Sequence, residues 1–552
     1  MAKRVDMVER LDQEFDLLVI GGGITGASAA RDAARRGLKV ALVEQQDLAY
    51  GTSSRSSKLV HGGLRYLEQG EFSLVFEAVT ERRILQDIAP HLVHPLGFVF
   101  PVYRSSRRGV FTVNVGMWLY DGLSLFRSPR IHRNLSRRDV EKEEPTLRAQ
   151  DLKGAPLYFD CATDDARLTL EIALSAVSSG AVVATYTRVV GFEQDQGGRT
   201  TGVRVCDVVT GEERSVRAHT VVNATGPWTD QVRAMGDPSC SSLLRPTKGV
   251  HLVIERERLS VNNAVVCFHP SDGRVLFAIP WSDRTYVGTT DTDFDTSPGE
   301  VAATAADVRY LLDAANHYFP DANLVEADVL STWAGVRPLI AEPESTSESS
   351  VSREHEIRVD SSGLITIAGG KLTTCRRMGG EVVDKAVDLL RVMGVCGSLR
   401  APRTEQEPLP GAVGWPEDDD HQAVVQLIRD AGAGRVEQDT AALLASTYGM
   451  RGVDVAERAA RQQELATRVL ADRPEIMAQV DYAVTHELAT TLSDVLSRRT
   501  QLFFRDRNQG LGACERVSAY MAGLLGWDEE RRAAEVDAYQ QDVARSRAWR
   551  ED

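Results

Sequence analysis

Residues Phe15 to Glu44 constrain the fold of this chain more than any other stretch. They run as an apolar strand, Phe15-Asp16-Leu17-Leu18-Val19-Ile20, then Gly21-Gly22-Gly23-Ile24-Thr25-Gly26, then an Ala-rich segment to Gly37, then Lys39 to Val43 ending at Glu44. In such a strand-turn-helix unit the first glycine of the pattern permits the tight turn. The second lets backbone approach a pyrophosphate, and the third lets helix pack on strand. The phosphates then sit on the helix N-terminus, where free N–H groups and the dipole favour negative charge. Glu44 lies where an acid binds a ribose 2′-OH, which argues against a 2′-phosphate and so against NADP. A purely structural glycine turn would not need that strand, helix and acid around it, so a dinucleotide site is expected.

At 552 residues the chain exceeds what one core usually supports, and two or three domains are expected. A formal net charge of -15 gives no reason to expect nucleic-acid binding. The seven cysteines include no C-x-x-C pair, so neither a zinc site nor a disulfide framework is expected, and the reading is a reducing, cytoplasmic compartment. Residues Met1 to Glu14 are charged throughout and lack a secretory apolar segment. No apolar stretch approaches the ~18 residues needed to span a bilayer, so any membrane contact is expected at the surface.

After Glu44, the stretch from Thr52 to Tyr66 combines hydroxyls, glycines, Lys58, His61 and Arg65, which suits close backbone approach to a large planar ligand better than a linker. Residues 72 to 90 read as an amphipathic helix. From Arg104 to Arg133, arginines flank an aromatic and aliphatic run. That composition suits a segment lying in a membrane interface, and equally a core helix with arginines at its ends. The strand Thr220-Val221-Val222-Asn223 runs into Ala224-Thr225-Gly226-Pro227-Trp228, and Leu364 to Ala368 into Gly369-Gly370-Lys371. Both read as returns of the chain to the nucleotide sheet, the second with a helix N-terminus facing the cofactor. Between 245 and 295 the pattern alternates with period two, as in an antiparallel sheet. Pro402, Pro408, Pro410, Pro416 and the acids from Glu417 to Asp420 mark a linker. Beyond it the chain reads as helical, with Val484, Leu488, Leu492, Val495 and Leu496 at helical spacing. His486-Glu487 lacks a second histidine at Thr490 and reads as structural; no metal site is expected.

Together these motifs closely resemble the FAD-dependent glycerol-3-phosphate dehydrogenases, the aerobic, quinone-linked family within the D-amino-acid-oxidase-like flavoproteins. The resemblance rests on Gly21 to Gly26, Thr52 to Glu68, Asp164 to Leu168, Asn223 to Trp228, Lys248 to Val253, Gly288 to Asp291, Gly335 to Pro338, Gly369 to Arg376 and Tyr482 to Thr500. The run from Ser56 to Glu68 is its most specific part. The fold expected is α/β, with a Rossmann-like FAD-binding domain assembled from residues 1–85, 150–245 and 330–400. An α+β substrate domain with an antiparallel sheet takes 86–149 and 246–329, a linker 401–422, and an all-helical domain 423–552.

The resemblance implies noncovalent FAD and oxidation of sn-glycerol 3-phosphate to dihydroxyacetone phosphate, with hydride transfer to flavin N5 and electrons passed to membrane quinone. It also implies peripheral association with the anionic inner face of the cytoplasmic membrane, often as a homodimer. An oxygen-using oxidase, or a related flavin oxidoreductase acting on another small anion, is the alternative. Oxidising the alcohol needs a clamp for a dianionic phosphate and a proton acceptor near O2. Arg65, Tyr66, Arg337 and Lys371 are the expected substrate contacts, arginine because its planar fork donates in pairs. His251 is the expected base, since an imidazole pKa near 6.5 suits proton abstraction. Arg337 and Lys371 are also expected to stabilise a reduced, anionic flavin. Expected cofactor contacts are Gly21, Gly23, Ile24, Thr25, Gly26 and Glu44; Thr52, Ser53, Ser54, Lys58, His61, Gly62 and Gly63; Gly226 and Trp228; Gly335; and Gly370, Leu372 and Thr373.

Overall fold

A computed structural model of the chain describes residues 3–63, 70–106, 108–124, 129–341 and 354–551. Two sheets organise it. The first runs, strand by strand, His355–Val359, Ile365–Gly369, Glu213–Asn223, Phe15–Ile20, Val40–Val43, Val182–Ala184. All neighbours are parallel except the hairpin at the first edge. Strands buried on both faces read as unbroken apolar runs, and Leu17, Leu18 and Val19 are fully buried. Ile20 pairs with Asn223, and Asn223 with Thr366. The C-terminal ends of Phe15–Ile20 and Glu213–Asn223 are therefore level, Ile365–Gly369 runs three residues further, and the turns at Gly21, Ala224 and Gly369 open on one edge, where ligands bind in open parallel sheets. Both expected returns are present. A meander of Thr187–Gln194 and Thr200–Asp207 extends antiparallel from Glu213–Asn223.

The second sheet has eleven strands and is almost wholly antiparallel. It holds the alternating segment from 245 to 295, as expected. It also takes two strands that the sequence reading placed with the nucleotide segments. Leu152–Ala162 pairs with His94–Val99, and Val329–Ile340 pairs with Leu244–Glu255 from Leu244↔Ile340 to Ile254↔Val329. The glycine and proline in Trp333-Ala334-Gly335-Val336-Arg337-Pro338 hide its alternation, and pairing along a twelve-residue strand decides its place.

Beyond residue 420 the chain is helical, with His421–Ala431, Gln438–Tyr448, Gly452–Arg461, Met477–His486, Cys514–Leu525 and Glu529–Arg547. The run Val484 to Leu496 is not the continuous helix its spacing predicts. The helix stops at His486, Leu488 turns left-handed at φ 60°, and Asp494–Arg499 forms a π-helical turn. Asp494 causes the break by accepting from the N–H groups of Thr490 (2.8 Å) and Thr491 (2.9 Å). All five apolar side chains are nevertheless buried. The proline-rich linker is docked. Arg31 donates to the carbonyls of Thr404 (3.1 Å) and Glu407 (2.7 Å), and Leu409 is fully buried.

Candidate active site

The turns at Gly21, Ala224 and Gly369 border an open trench of about 250 Å³ lined by Gly21, Gly23, Ile24, Thr25, Glu44, Thr52, Ser53, Ser56, Gly226, Trp228, Gly370, Lys371 and Leu372. Two glycines of the opening motif are required by contact. A Cβ at Gly21, whose φ is +110°, would lie 2.6 Å from the Ala224 carbonyl oxygen. One at Gly26 would lie 2.0 Å from the Gly21 carbonyl oxygen. The helix Ile24–Arg36 starts at the trench, and the Ile24 N–H is held by Ser53 Oγ at 2.9 Å. Glu44 accepts from Gly22 N at 2.6 Å and Gln46 N at 2.9 Å, so the acid also braces the glycine turn. Burial raises its pKa. A helix N-terminus bordered by bare backbone, with an acid at the next strand end, fits an FAD pyrophosphate and ribose.

His251 and Arg337 approach one another beyond this trench, on the paired strands Leu244–Glu255 and Val329–Ile340, where His251 stands opposite Trp333 and Thr247 opposite Arg337. The imidazole stacks on Trp333 with ring centroids 4.7 Å apart, and its Nε2 is 2.9 Å from Ser57 Oγ. Its Nδ1 is buried with no hydrogen-bond partner among the described residues. Burial, then Arg337, then Lys58 hold the imidazole well below its usual pKa, so it is neutral at neutral pH rather than poised near 6.5 as its residue type suggests. Arg337 donates to Asp291 Oδ1 (2.8 Å), Thr289 Oγ1 (3.0 Å) and the Thr290 carbonyl (3.1 Å). Both side chains cross bare backbone. A Cβ at Gly249 would sit 2.3 Å from Arg337 Nη2, and one at Gly288 2.2 Å from His251 Cδ2.

Other expected contacts lie off the trench wall. Lys58 is buried and its Nζ is 2.6 Å from Asp165 Oδ1, within 5.3 Å of the Trp333 ring centroid. That ammonium is neutralised by a protein carboxylate. Gly26 serves helix packing, and Gly335 lets the strand approach the Arg55 carbonyl, 2.7 Å from where a Cβ would be. Ser54 faces a second cavity. The Gly62 N–H is taken by Tyr120 Oη (3.1 Å) and Asp160 Oδ1 (3.1 Å), and Gly63 sits in the left-handed region at φ 74°. Thr373 Oγ1 accepts from the His61 N–H at 3.1 Å, tying that stretch to the last helix. Arg65 and Tyr66 lie outside the described residues. The sequence reading missed Ser57 and Asp291 as partners of His251 and Arg337. Asp291 ends the strand-turn run Gly288-Thr289-Thr290-Asp291, a signal that could have marked it.

Residues 16–384 match the family model of FAD dependent oxidoreductases, and residues 402–532 that of the C-terminal domain of alpha-glycerophosphate oxidase. The chain is 38% identical over 523 residues to the aerobic glycerol-3-phosphate dehydrogenase of Staphylococcus saprophyticus, covering 95% of this chain and 93% of that one. The protein of that name from Staphylococcus aureus is also 38% identical, over 96% of this chain and 94% of its own. Among solved structures, the glycerol-3-phosphate dehydrogenase from Bacillus halodurans complexed with FAD superposes with a TM-score of 0.81 at 34% identity, covering 99% of this chain and 98% of that one.

Proposed function

The chain belongs to the aerobic glycerol-3-phosphate dehydrogenase family of FAD-dependent oxidoreductases, and from that premise we propose that it oxidises sn-glycerol 3-phosphate to dihydroxyacetone phosphate and passes the electrons to a membrane quinone. The observation that carries the reading is the meeting of His251 and Arg337 over the glycine backbone of Gly249 and Gly288. One is a neutral nitrogen base and the other a planar cation, the two groups this oxidation needs from the protein.

Bound FAD supplies the acceptor for the two electrons that leave with the C2 hydrogen. Arg337, with Lys371 and with Arg65 and Tyr66, takes the phosphate dianion and fixes C2 and O2. His251 takes the O2 proton. Ser57 at Nε2 and the Trp333 face fix the imidazole plane, and Nδ1 is the nitrogen without a partner among the described residues. Arg337 is the second cause of the low imidazole pKa. A phosphate dianion on that guanidinium offsets its positive field, so substrate binding itself raises the basicity of the imidazole. The trench residues from Gly21 to Thr25, Glu44, Thr52 and Ser53 hold the cofactor.

No helix among the described residues is long and apolar enough to cross a membrane. The packed helices Phe72–Ile88 and Val110–Leu123 instead expose Phe72, Phe76, Phe111, Val115, Trp118 and Leu119. Exposed arginines 104, 108, 130 and 133 flank this face. Apolar side chains beside cations suit the headgroup boundary of an anionic bilayer. This face is the one we assign to the inner surface of the cytoplasmic membrane.

The deciding experiment mixes the yellow holoenzyme with glycerol 3-phosphate under nitrogen. Rapid bleaching of the flavin, followed by turnover with a soluble quinone and no stoichiometric hydrogen peroxide in air, is expected. Unchanged flavin absorbance would overturn the substrate assignment, and stoichiometric peroxide without quinone would make the protein an oxidase.

A further inference from the structure

A second cavity, about 300 Å³ in volume, lies behind the turn that carries the cofactor contacts. Within that turn, Thr52, Ser53 and Ser56 line the trench, whereas Ser54 and Arg55 line the second cavity. Its far wall comes from the helix Glu529–Arg547, and Trp333 and Phe504 close one side.

The charges around this space are unequally matched. Arg498 is paired with Asp47 at 2.6 Å and with Asp494 at 2.6 Å. Glu535 is paired with Arg531 at 2.5 Å, and Asp542 accepts from Ser493 Oγ at 2.8 Å and lies 3.4 Å from Arg545. Arg55 has no carboxylate within ion-pair distance among the described residues; its guanidinium lies over the Tyr50 ring, 5.3 Å from the centroid. Arg55 is half-buried, and desolvation lowers its pKa against the opposing pull of Tyr50 and Asp542. A ring face attracts a cation but brings no net charge to neutralise it. Among the described residues Arg55 therefore meets a ring face and no paired carboxylate.

We propose that this cavity is a second ligand site, in which Arg55 binds the phosphate of a small phosphorylated polyol and the Ser497 hydroxyl, on the same wall, adds a donor. The guanidinium fork matches phosphate oxygens in pairs. Asp542 and Glu535 supply acceptors for hydroxyl groups on the rest of the ligand. The site is separate from the Arg337 clamp, because Arg337 lies against Thr289 and Asp291 in the second sheet and lines neither face of the turn.

The test titrates inorganic phosphate into the FAD-loaded full-length protein by calorimetry. Two phosphates per chain are expected. Arg337→Ala removes one, while Arg55→Met removes the other and keeps flavin absorbance and turnover. Ala538→Trp fills the cavity from the exposed face of the last long helix without touching Arg55, and weakens the same phosphate at least tenfold. It keeps the test decisive where Arg55→Met loses flavin. A single phosphate per chain, abolished by Arg337→Ala, would overturn the proposal. Two phosphates unaffected by Ala538→Trp would overturn it equally.

Discussion

Two adjacent glycines in the helix Cys375–Val392 should respond oppositely to the same substitution. Gly379 and Gly380 both sit inside the helix, so alanine at either gains about 1 kcal/mol of helix propensity. Their surroundings differ. A Cβ at Gly380 meets nothing closer than Asp32 Oδ2 at 3.6 Å, an ordinary contact. A Cβ at Gly379 would lie 2.6 Å from the Ser28 carbonyl carbon and 2.8 Å from the Ala29 nitrogen, both backbone atoms of the helix Ile24–Arg36. Relief requires the two helices to separate by about 0.8 Å, roughly the shortfall from ordinary contact, and overpacking of that kind costs about 1–3 kcal/mol. Gly380→Ala is therefore expected to stabilise by about 0.5–1 kcal/mol, and Gly379→Ala to destabilise by up to about 2. The difference between them isolates the contact, since propensity cancels. The displaced helix carries Ile24 and Thr25 at the trench, so Gly379→Ala should also weaken FAD retention while Gly380→Ala leaves it unchanged. Urea unfolding of the two holoenzymes, with bound flavin measured by absorbance after gel filtration, reads both quantities. Equal stability and equal flavin content would refute the close-packing argument and the coupling of this helix pair to the trench.

Arg337→Ala should lose glycerol 3-phosphate oxidation by at least a hundredfold in kcat/KM while keeping flavin absorbance, because the clamp faces substrate rather than the dinucleotide; unchanged turnover at subsaturating substrate would remove Arg337 from the clamp. Lys58→Met leaves Asp165 as an uncompensated buried carboxylate and should cost about 3–5 kcal/mol, measured by urea unfolding. His91, His94 and His251 all have depressed pKa values, His94 at about 4, each chiefly through burial. Below pH 6.5 the unfolded chain takes up protons that the folded chain refuses, so stability should be full above that pH and fall on acidification by about 1.4 kcal/mol per unit per histidine; a pH-independent urea midpoint between 6.5 and 4.5 would contradict their neutral burial. Phe111→Asp with Trp118→Asp replaces two exposed side chains and should move the protein off anionic vesicles in flotation without loss of flavin.

What could be read in advance divides along physical lines. The nucleotide sheet was legible because its strands are buried on both faces and end in glycine turns, a local pattern at Ile20-Gly21, Asn223-Ala224 and Ala368-Gly369. The substrate sheet was legible only between 245 and 295, where alternation is clean; in Val329–Ile340 a glycine needed for the Arg55 carbonyl interrupts it. The partners that tune the site were not legible at all. Ser57 and His251 are 194 residues apart, and Arg337 and Asp291 46 apart. A single sequence carries no distance information, and a serine or aspartate in a loop looks the same whether it faces water or an imidazole. The apparent helix from Val484 to Leu496 failed for a related reason: spacing reports which side chains are buried, and Asp494 decided the backbone by capturing two N–H groups.

These same long-range ion pairs explain why the helical domain is part of the cofactor scaffold rather than an appendage. Asp47 follows Glu44 by three residues and is fully buried, and its carboxylate is gripped by Arg498 at 2.6 Å and Arg499 at 2.7 Å. Both arginines hold it below the usual carboxylate range against the opposing effect of burial. Arg499 also donates to the Glu487 carbonyl at 2.8 Å; beside it, buried Arg167 pairs with the Glu487 carboxylate at 2.5 Å, and Arg451 pairs with Glu171. A buried pair adds little net stability over apolar packing, but breaking one leaves an uncompensated charge at about 3–5 kcal/mol. Three such junctions therefore make separation of the two parts costly while contributing little attraction of their own. Their effect is registry: the π-helical turn that supplies Arg498 and Arg499 is seated against the segment after Glu44, and Glu44 in turn braces Gly22. The geometry of the glycine turn is thus fixed from both ends, by the packing of its own helix and by a carboxylate whose position depends on residues four hundred and fifty places further along the chain.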